Sequence, residues 1–235
     1  MDNVLKKTIF FLQAFIVMLC LSFSFTGQSI AADSIFKKNK CTQCHRLSPD
    51  TPLEQRKGPD LFFAGDKFQA SWLVNWLQQP DPIRLSGFIA DAGFLKGKPS
   101  IATPHPKLEK ESAETIVENL MKLKSGALEN TPTAELEEPL SKGKRFKFKI
   151  LFEREYGCIS CHQSVNLAGQ PRGGVSGPIL LDAGDRLNAG WVYHWLKNPE
   201  VFEKRGRMPR FKLNEEELKA LTRYVMWHKK SGDKK

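Results

Sequence analysis

Residues 158–162 read CISCH, and residues 41–45 of the same 235-residue chain read CTQCH. Each motif brings matching surroundings with it. KGPDL at 57–61 follows the first and SGPIL at 176–180 the second, and SWLVNWLQQP at 71–80 matches GWVYHWLKNP at 190–199. Trp72/Trp191, Trp76/Trp195 and Pro80/Pro199 are each 119 residues apart, against 117 for the cysteine motifs. HPKL at 105–108 matches MPRF at 208–211 at an offset of 103, because the first copy has a longer loop before it. Each copy closes on an amphipathic segment, ESAETIVENLMKLK at 111–124 or NEEELKALTRYVMWHK at 214–229; in the second, Asn214 and Glu217 have the spacing of a capping box. An internal duplication therefore organises the chain.

The N-terminus stands outside the repeat. Lys6 and Lys7 precede the apolar run TIFFLQAFIVMLCLSFSFTG, and the small residues SIAAD follow. This is the layout of an export signal over 1–32, with cleavage after Ala31 or Ala32; an uncleaved membrane anchor is the other reading of the same segment. Cys20 is a bystander in the apolar run, since Leu19 before it is too bulky for a lipoprotein signal. The first copy spans 33–126. ALENTPTAELEEPLSKG at 127–143, with two prolines, a glycine and four glutamates, reads as a linker, and the second copy spans 144–235. Alternating strand patterns are scarce, so a mainly helical fold of two tandem domains is expected. Each copy, at about 90–100 residues, supports one small core.

Past residue 32, all four remaining cysteines fall in the two CxxCH motifs, so none is left for a disulfide framework. Zinc ribbons place two CxxC units about 15–20 residues apart, and here the gap is 117. A thioredoxin-like pair calls for a βαβ pattern that the chain lacks. Covalent haem needs every part of the motif. Cys41 and Cys44, or Cys158 and Cys161, bond the two vinyl groups, and His45 or His162 supplies the proximal iron ligand. Two covalently attached haem c groups are expected.

Each half resembles a class I c-type cytochrome domain: CxxCH after an N-terminal helix, Gly-Pro downstream, a late loop carrying an axial ligand and a C-terminal helix. The whole resembles a dihaem cytochrome c of the bacterial periplasm over nearly all of 33–235. That resemblance implies a helical fold wrapped around each haem. It places Met208, in RMPRF, as the sixth ligand of the second iron, with His162 opposite. The matching position of the first copy holds His105, which keeps the following proline, so the first haem is expected to be His45/His105. In this respect the chain departs from the dihaem cytochromes that carry methionine on both irons. Met226 is expected in the core, His194 outside any ligand role and His228 at a solvated helix end. Gly58-Pro59 and Gly177-Pro178 are expected to cover the proximal histidines and orient their ring N–H groups. Trp72, Trp76, Trp191 and Trp195 are read as haem-edge or core packing. A thioether favours ferrous iron and a second imidazole ferric iron, so the first haem is expected at lower potential.

The basicity is uneven. Residues 33–126 carry a formal charge of +3, the glutamates of 127–140 contribute −4 and residues 141–235 carry +10. KGKRFKFK at 142–149 and Lys204, Arg205, Arg207 and Arg210 around Met208 form a basic collar suited to an acidic docking surface on a redox partner, or on a membrane respiratory complex. Nucleic acid is not an expected partner, and GQPRGGVSG at 169–177 lacks the strand–helix context of a phosphate loop. Two irons with full ligand sets and no catalytic constellation point to an electron carrier. The alternative is a dihaem enzyme, peroxidase-like or sulfur-compound-oxidising, in which the long loop DPIRLSGFIADAGFLKGKPSIATPH carries a ligand away from one iron.

Overall fold

The structure, a computed structural model, describes residues 34–86 and 104–230. The expected export segment and most of the long loop before His105 lie outside the described residues. Among the described residues no helix is long and apolar enough to cross a membrane. Residues up to Gln43 and residues from Cys44 onward are two compact units. In the first, residues 34–38 are helical, and Asn39 closes them by donating from its backbone and side-chain amides to Ile35 O at 3.1 and 3.0 Å. Lys40 then takes a left-handed φ of 59° and Cys41–Gln43 form a 3₁₀ turn. The second motif is entered the same way, with Gly157 at φ 61° before the 3₁₀ turn Cys158–Ser160. Glycine adopts that backbone freely, whereas a lysine pays about 1 kcal/mol.

The larger unit is mainly helical. Its first half holds α1 (Ala64–Lys67), α2 (Ala70–Gln78) and α3 (Lys110–Leu120). The second holds α4 (Thr133–Glu137), α5 (Lys142–Ile150) continuing into a π turn at Leu151–Glu155, the strands β1 (Gln163–Val165) and β2 (Pro171–Gly173), then α6 (Ala183–Arg186), α7 (Ala189–Lys197) and α8 (Glu215–Trp227). α1 and α6 have the same length, as do α2 and α7, and each pair is 119 residues apart. α3 buries Ala113, Ile116, Val117 and Leu120, an i, i+3, i+4, i+7 stripe, against the α2 face bearing Leu73 and Leu77. α8 buries Leu218, Leu221 and Val225 against the α7 face bearing Val192 and Leu196. The expected Asn214/Glu217 capping box is present.

The turn at the start of α1 touches the end of α3, and that of α6 touches the end of α8. Gly65 N–H donates to Leu123 O at 2.9 Å and Gly184 N–H to His228 O at 2.8 Å. A Cβ on Gly65 would lie 2.2 Å from Met121 O, and one on Gly184 1.9 Å from Met226 O, so both positions require glycine. Asp66 and Asp185 reinforce the same junctions, accepting from Ser125 N and Lys230 N at 2.6 and 2.7 Å.

Two sequence readings need correction, and a short hairpin joins the mainly helical fold. The stretch 127–143 contains α4, and Leu136 is buried in the second-half core. Its acids pair with the two basic residues of α8, Glu135 with Lys219 and Glu138 with Arg223, so this charge-dense stretch is a strap on that helix. His228 is buried, not solvated: its Nδ1 donates to Tyr224 O at 2.9 Å and its Nε2 accepts from Ser164 Oγ at 2.8 Å. The hairpin pairs Ser164 with Arg172, and its three-residue strands are too short to carry a period-2 pattern.

The halves of the larger unit meet through reciprocal bonds at equivalent positions. Gln69 N–H donates to Arg186 O and Asn188 N–H to Lys67 O, both at 2.9 Å. The Gln69 side-chain amide donates to Gly184 O and Leu187 O at 2.9 and 2.8 Å, while that of Asn188 donates to Asp66 O and Phe68 O at 3.0 and 3.3 Å. Phe68 and Leu187 form an antiparallel bridge. On one side Phe63 stacks on Trp191 at 4.8 Å between centroids; on the other Trp72 Nε1 donates to Asp182 at 3.2 Å. Arg56, whose side chain is 1% exposed, reaches Glu203 at 2.6 Å and Asp60 at 3.1 Å.

Candidate haem sites

In the second motif the 3₁₀ turn presents Cys158 half-buried and Cys161 exposed. Burial pushes the Cys158 thiol up to about 11, the opposite of a nucleophilic thiolate. The chain then runs through the hairpin and returns, with Gly177 N–H donating to Cys161 O at 2.7 Å. This return lays the Gly177-Pro178 turn on the His162 ring. Pro178 O lies 2.8 Å from Nδ1. A carbonyl can only accept, so Nδ1 carries the proton and Nε2 keeps its lone pair. Burial, with the charges of Arg84 and Arg186, holds the ring below its ordinary pKa and therefore neutral. A Cβ on Gly177 would stand 2.6 Å from Cε1 and 2.7 Å from Nδ1, so glycine alone lets the turn sit this close.

The first site repeats the arrangement. Gly58 N–H donates to Cys44 O at 2.8 Å, Pro59 O lies 2.6 Å from His45 Nδ1, and a Cβ on Gly58 would stand 2.6 Å from Cε1. Burial first, and then His105 and Lys67, hold the His45 ring below its ordinary pKa. The first loop is two residues shorter between histidine and glycine, which accounts for the change of offset from 117 to 119. In the longer second loop the extra length folds as the hairpin. Arg46, next to the first motif, makes a bidentate pair with Asp60 at 2.8 and 2.6 Å.

The structure brings the distal candidates to matching places, each beside the second tryptophan of its helix. Leu108 N–H donates to Leu77 O at 2.9 Å, tethering the His105 loop to the end of α2. The His105 ring lies 4.8 Å from Trp76 and 6.2 Å from His45, centroid to centroid. Its Nδ1 donates to Pro106 O at 2.9 Å, which leaves Nε2 with its lone pair, and burial lowers its pKa. In the second half Trp195 Nε1 donates to Met208 Sδ at 3.0 Å. Sequence reading offered haem-edge contact or core packing for these tryptophans; Trp191 is buried in the core, Trp195 packs against it, and Trp195 also holds the methionine sulfur. Thr131 Oγ1, which donates to Leu128 O, accepts from His194 Nε2 at 3.0 Å, and Met226 packs on the core.

Two imidazoles with protonated Nδ1 and bare Nε2, flat glycine turns against them, and a soft sulfur or third imidazole on a separate loop form a donor set suited to haem iron. In the second motif Cys158, half-buried, and Cys161, exposed, flank the 3₁₀ turn just before His162 and would supply the thioether bonds to a porphyrin. No three His, Cys, Asp or Glu side chains converge as a cage for a lone metal ion among the described residues. The residues present therefore fit covalent haem.

Residues 141–229 match the family model for Cytochrome c. The match opens at Ser141, the N-cap of α5, whose hydroxyl accepts from Lys144 N. It supports a c-type cytochrome with a haem-based electron-transfer role, and it implies covalently bound haem c with iron. No curated protein and no solved structure matches the chain.

Proposed function

We propose that the protein is an exported dihaem cytochrome c that passes electrons between redox partner proteins. In this reading two tandem domains arose by duplication, the first holding iron between His45 and His105 and the second between His162 and Met208. Each haem, when bound, supplies one reversible electron step at its iron. The chain's own residues do the rest. Pro59 O and Pro178 O hold the proximal rings and raise their basicity as ligands. Trp195 steadies the thioether, and the buried cores exclude water, which keeps the change of charge on each redox step small in structural cost.

The observation that carries the reading is the 6.2 Å separation of the His45 and His105 rings. That separation is about what an iron bonded to both imidazoles at roughly 2.0 Å would need, so His45 and His105 would be able to hold one iron together. The matched glycine turns, the seam with its reciprocal bonds and the equal helix pairs support a second domain of the same kind.

Met/His iron sits above bis-His iron in potential, so electrons run from the first haem to the second. Lys204, Arg205 and Arg210 are exposed beside Met208, and such a collar favours an acidic docking surface on the acceptor, or on a membrane complex. Arg205 is partly engaged by Glu54 at 3.1 Å, in an exposed pair of little energetic consequence. The periplasm is the compartment consistent with the N-terminal segment. Intact-mass analysis of the purified protein tests the stoichiometry: two haem additions per chain are expected, and a single one would sink the dihaem reading.

A further inference from the structure

Three cations meet on the seam between the halves. Lys67 and Arg186 are equivalent, each closing its short helix, and their carbonyls receive the reciprocal bonds from Asn188 and Gln69. Arg84 arrives from the first half. Ile83 O accepts from Ile179 N at 2.7 Å and Ser86 Oγ donates to Ser176 O at 3.4 Å, which lays residues 83–86 along the Gly177-Pro178 turn that holds His162. Arg84 thus lies in the neighbourhood of the second iron site although the first half encodes it.

These charges are close enough to repel one another and are poorly compensated. Burial and the charges of Arg186 and Arg84 push the Lys67 ammonium down to about 8. Arg84 is itself depressed by burial and by Arg207. Each cation acts on an imidazole: Lys67 on His45, Arg84 and Arg186 on His162. Arg186 has Asp182 at 3.5 Å and Ile179 O at 2.7 Å. Lys67 lies over the rings of Phe68 and Trp191 at 5.0 and 5.5 Å. Among the described residues neither Lys67 nor Arg84 closes an ion pair or donates a side-chain hydrogen bond. Lys67 and Arg84 are half-buried, and the acids that face them, Glu203 for both and Asp60 for Lys67, offset part of the charge without bonding to either, so the seam keeps a surplus of positive charge suited to anions that the polypeptide does not supply. The trio is no by-product of the repeat either. The counterpart of Arg84 is Glu203, of opposite charge, and it turns to Arg56 in the first half.

We propose that Lys67, Arg84 and Arg186 form one carboxylate-binding site on the seam, whose ligands are the propionate groups of the two haems, with Arg84 crossing from the first half to serve the second haem. This rests on the dihaem reading above. Positive charge at the propionates stabilises the ferrous state, so each cation raises the potential of the haem it serves, and one seam sets both potentials.

Equilibrium redox titration of the holoprotein tests this, with the sulfur-to-iron absorption band reporting the second haem and haem content per chain measured on every sample. Arg84→Gln is expected to shift the second haem to lower potential, Arg84→Lys to keep most of the wild-type value, and Lys67→Gln to lower the first haem. Two haems per chain with both potentials unmoved by Arg84→Gln and Lys67→Gln would overturn the seam site while leaving the dihaem reading intact. Equal shifts in Arg84→Gln and Arg84→Lys would also overturn it, since they would mark packing rather than charge. A single haem in the wild-type protein would remove the reading and the seam site together.

Discussion

Gly177→Ala places a methyl group where the structure leaves no room for one. The new Cβ would lie 2.6 Å from His162 Cε1, 2.7 Å from Nδ1 and 2.9 Å from Cys161 O, whereas ordinary contact begins at 3.4 Å. The shortfall against the ring is 0.8 Å, from 3.4 less 2.6. The turn cannot retreat by that amount, because Gly177 N–H is held on Cys161 O at 2.7 Å and Gly174 N–H on Ile159 O at 2.9 Å. The ring must therefore move, and its 2.8 Å bond to Pro178 O is lost. Overpacking of this kind costs about 1–3 kcal/mol and the lost hydrogen bond about 1 kcal/mol more. Backbone strain adds nothing, because Gly177 is not among the glycines with positive φ. The expected result is a loss of about 2–4 kcal/mol in denaturant unfolding of the ferric holoprotein, together with a weakened sulfur-to-iron band as His162 leaves its axial position. Gly58→Ala, 2.6 Å from His45 Cε1, repeats the experiment on the first site. A variant within about 0.5 kcal/mol of wild type, with an unchanged spectrum, would refute the claim that these turns position the proximal ligands.

Burial pushes His228 down to about 4 from 6.5. The folded ring is neutral while the unfolded ring takes a proton, so stability is complete above pH 6.5 and falls by about 3 kcal/mol as the pH drops to 4. His228→Gln should flatten the difference between denaturant midpoints at pH 7 and pH 4.5, and an unchanged difference would contradict the assignment. Trp195→Phe removes the 3.0 Å N–H···S bond; the sulfur regains electron density, and the second haem should move to lower potential in a redox titration while Trp76→Phe leaves that haem in place. Arg56→Met strands Glu203 on the seam, while Asp60 keeps Arg46, and should cost about 3 kcal/mol, with calorimetry showing the halves unfolding more separately than in wild type.

The motifs, the tryptophan helices and the C-terminal helices were readable because their chemistry is local or periodic. CxxCH is contiguous, the stripes of α3 and α8 follow the helical period, and Asn214 with Glu217 closes a box within one turn. The turns over His45 and His162 were readable too, since Gly-Pro recurs a short way behind each motif, 13 and 15 residues after the histidine. What escaped depends on contacts between distant residues. Leu136 alone gives no sign that a charged, proline-bearing stretch folds onto α8. His228 lies among lysines in sequence, yet Ser164, sixty-four residues away, accounts for its burial. Gln69 and Asn188 bond to carbonyls more than a hundred residues distant. The available clue was two amides at matching positions, preceded by the equally matched cations Lys67 and Arg186.

The central claim is that both irons are closed, one by two histidines and the other by histidine and methionine. Electron paramagnetic resonance of the oxidised protein, with and without cyanide, tests it most directly. Two low-spin signals, one of bis-histidine and one of histidine/methionine type, both indifferent to cyanide, are predicted. A high-spin signal, or one that shifts when cyanide is added, would contradict the account and mark an iron open to substrate.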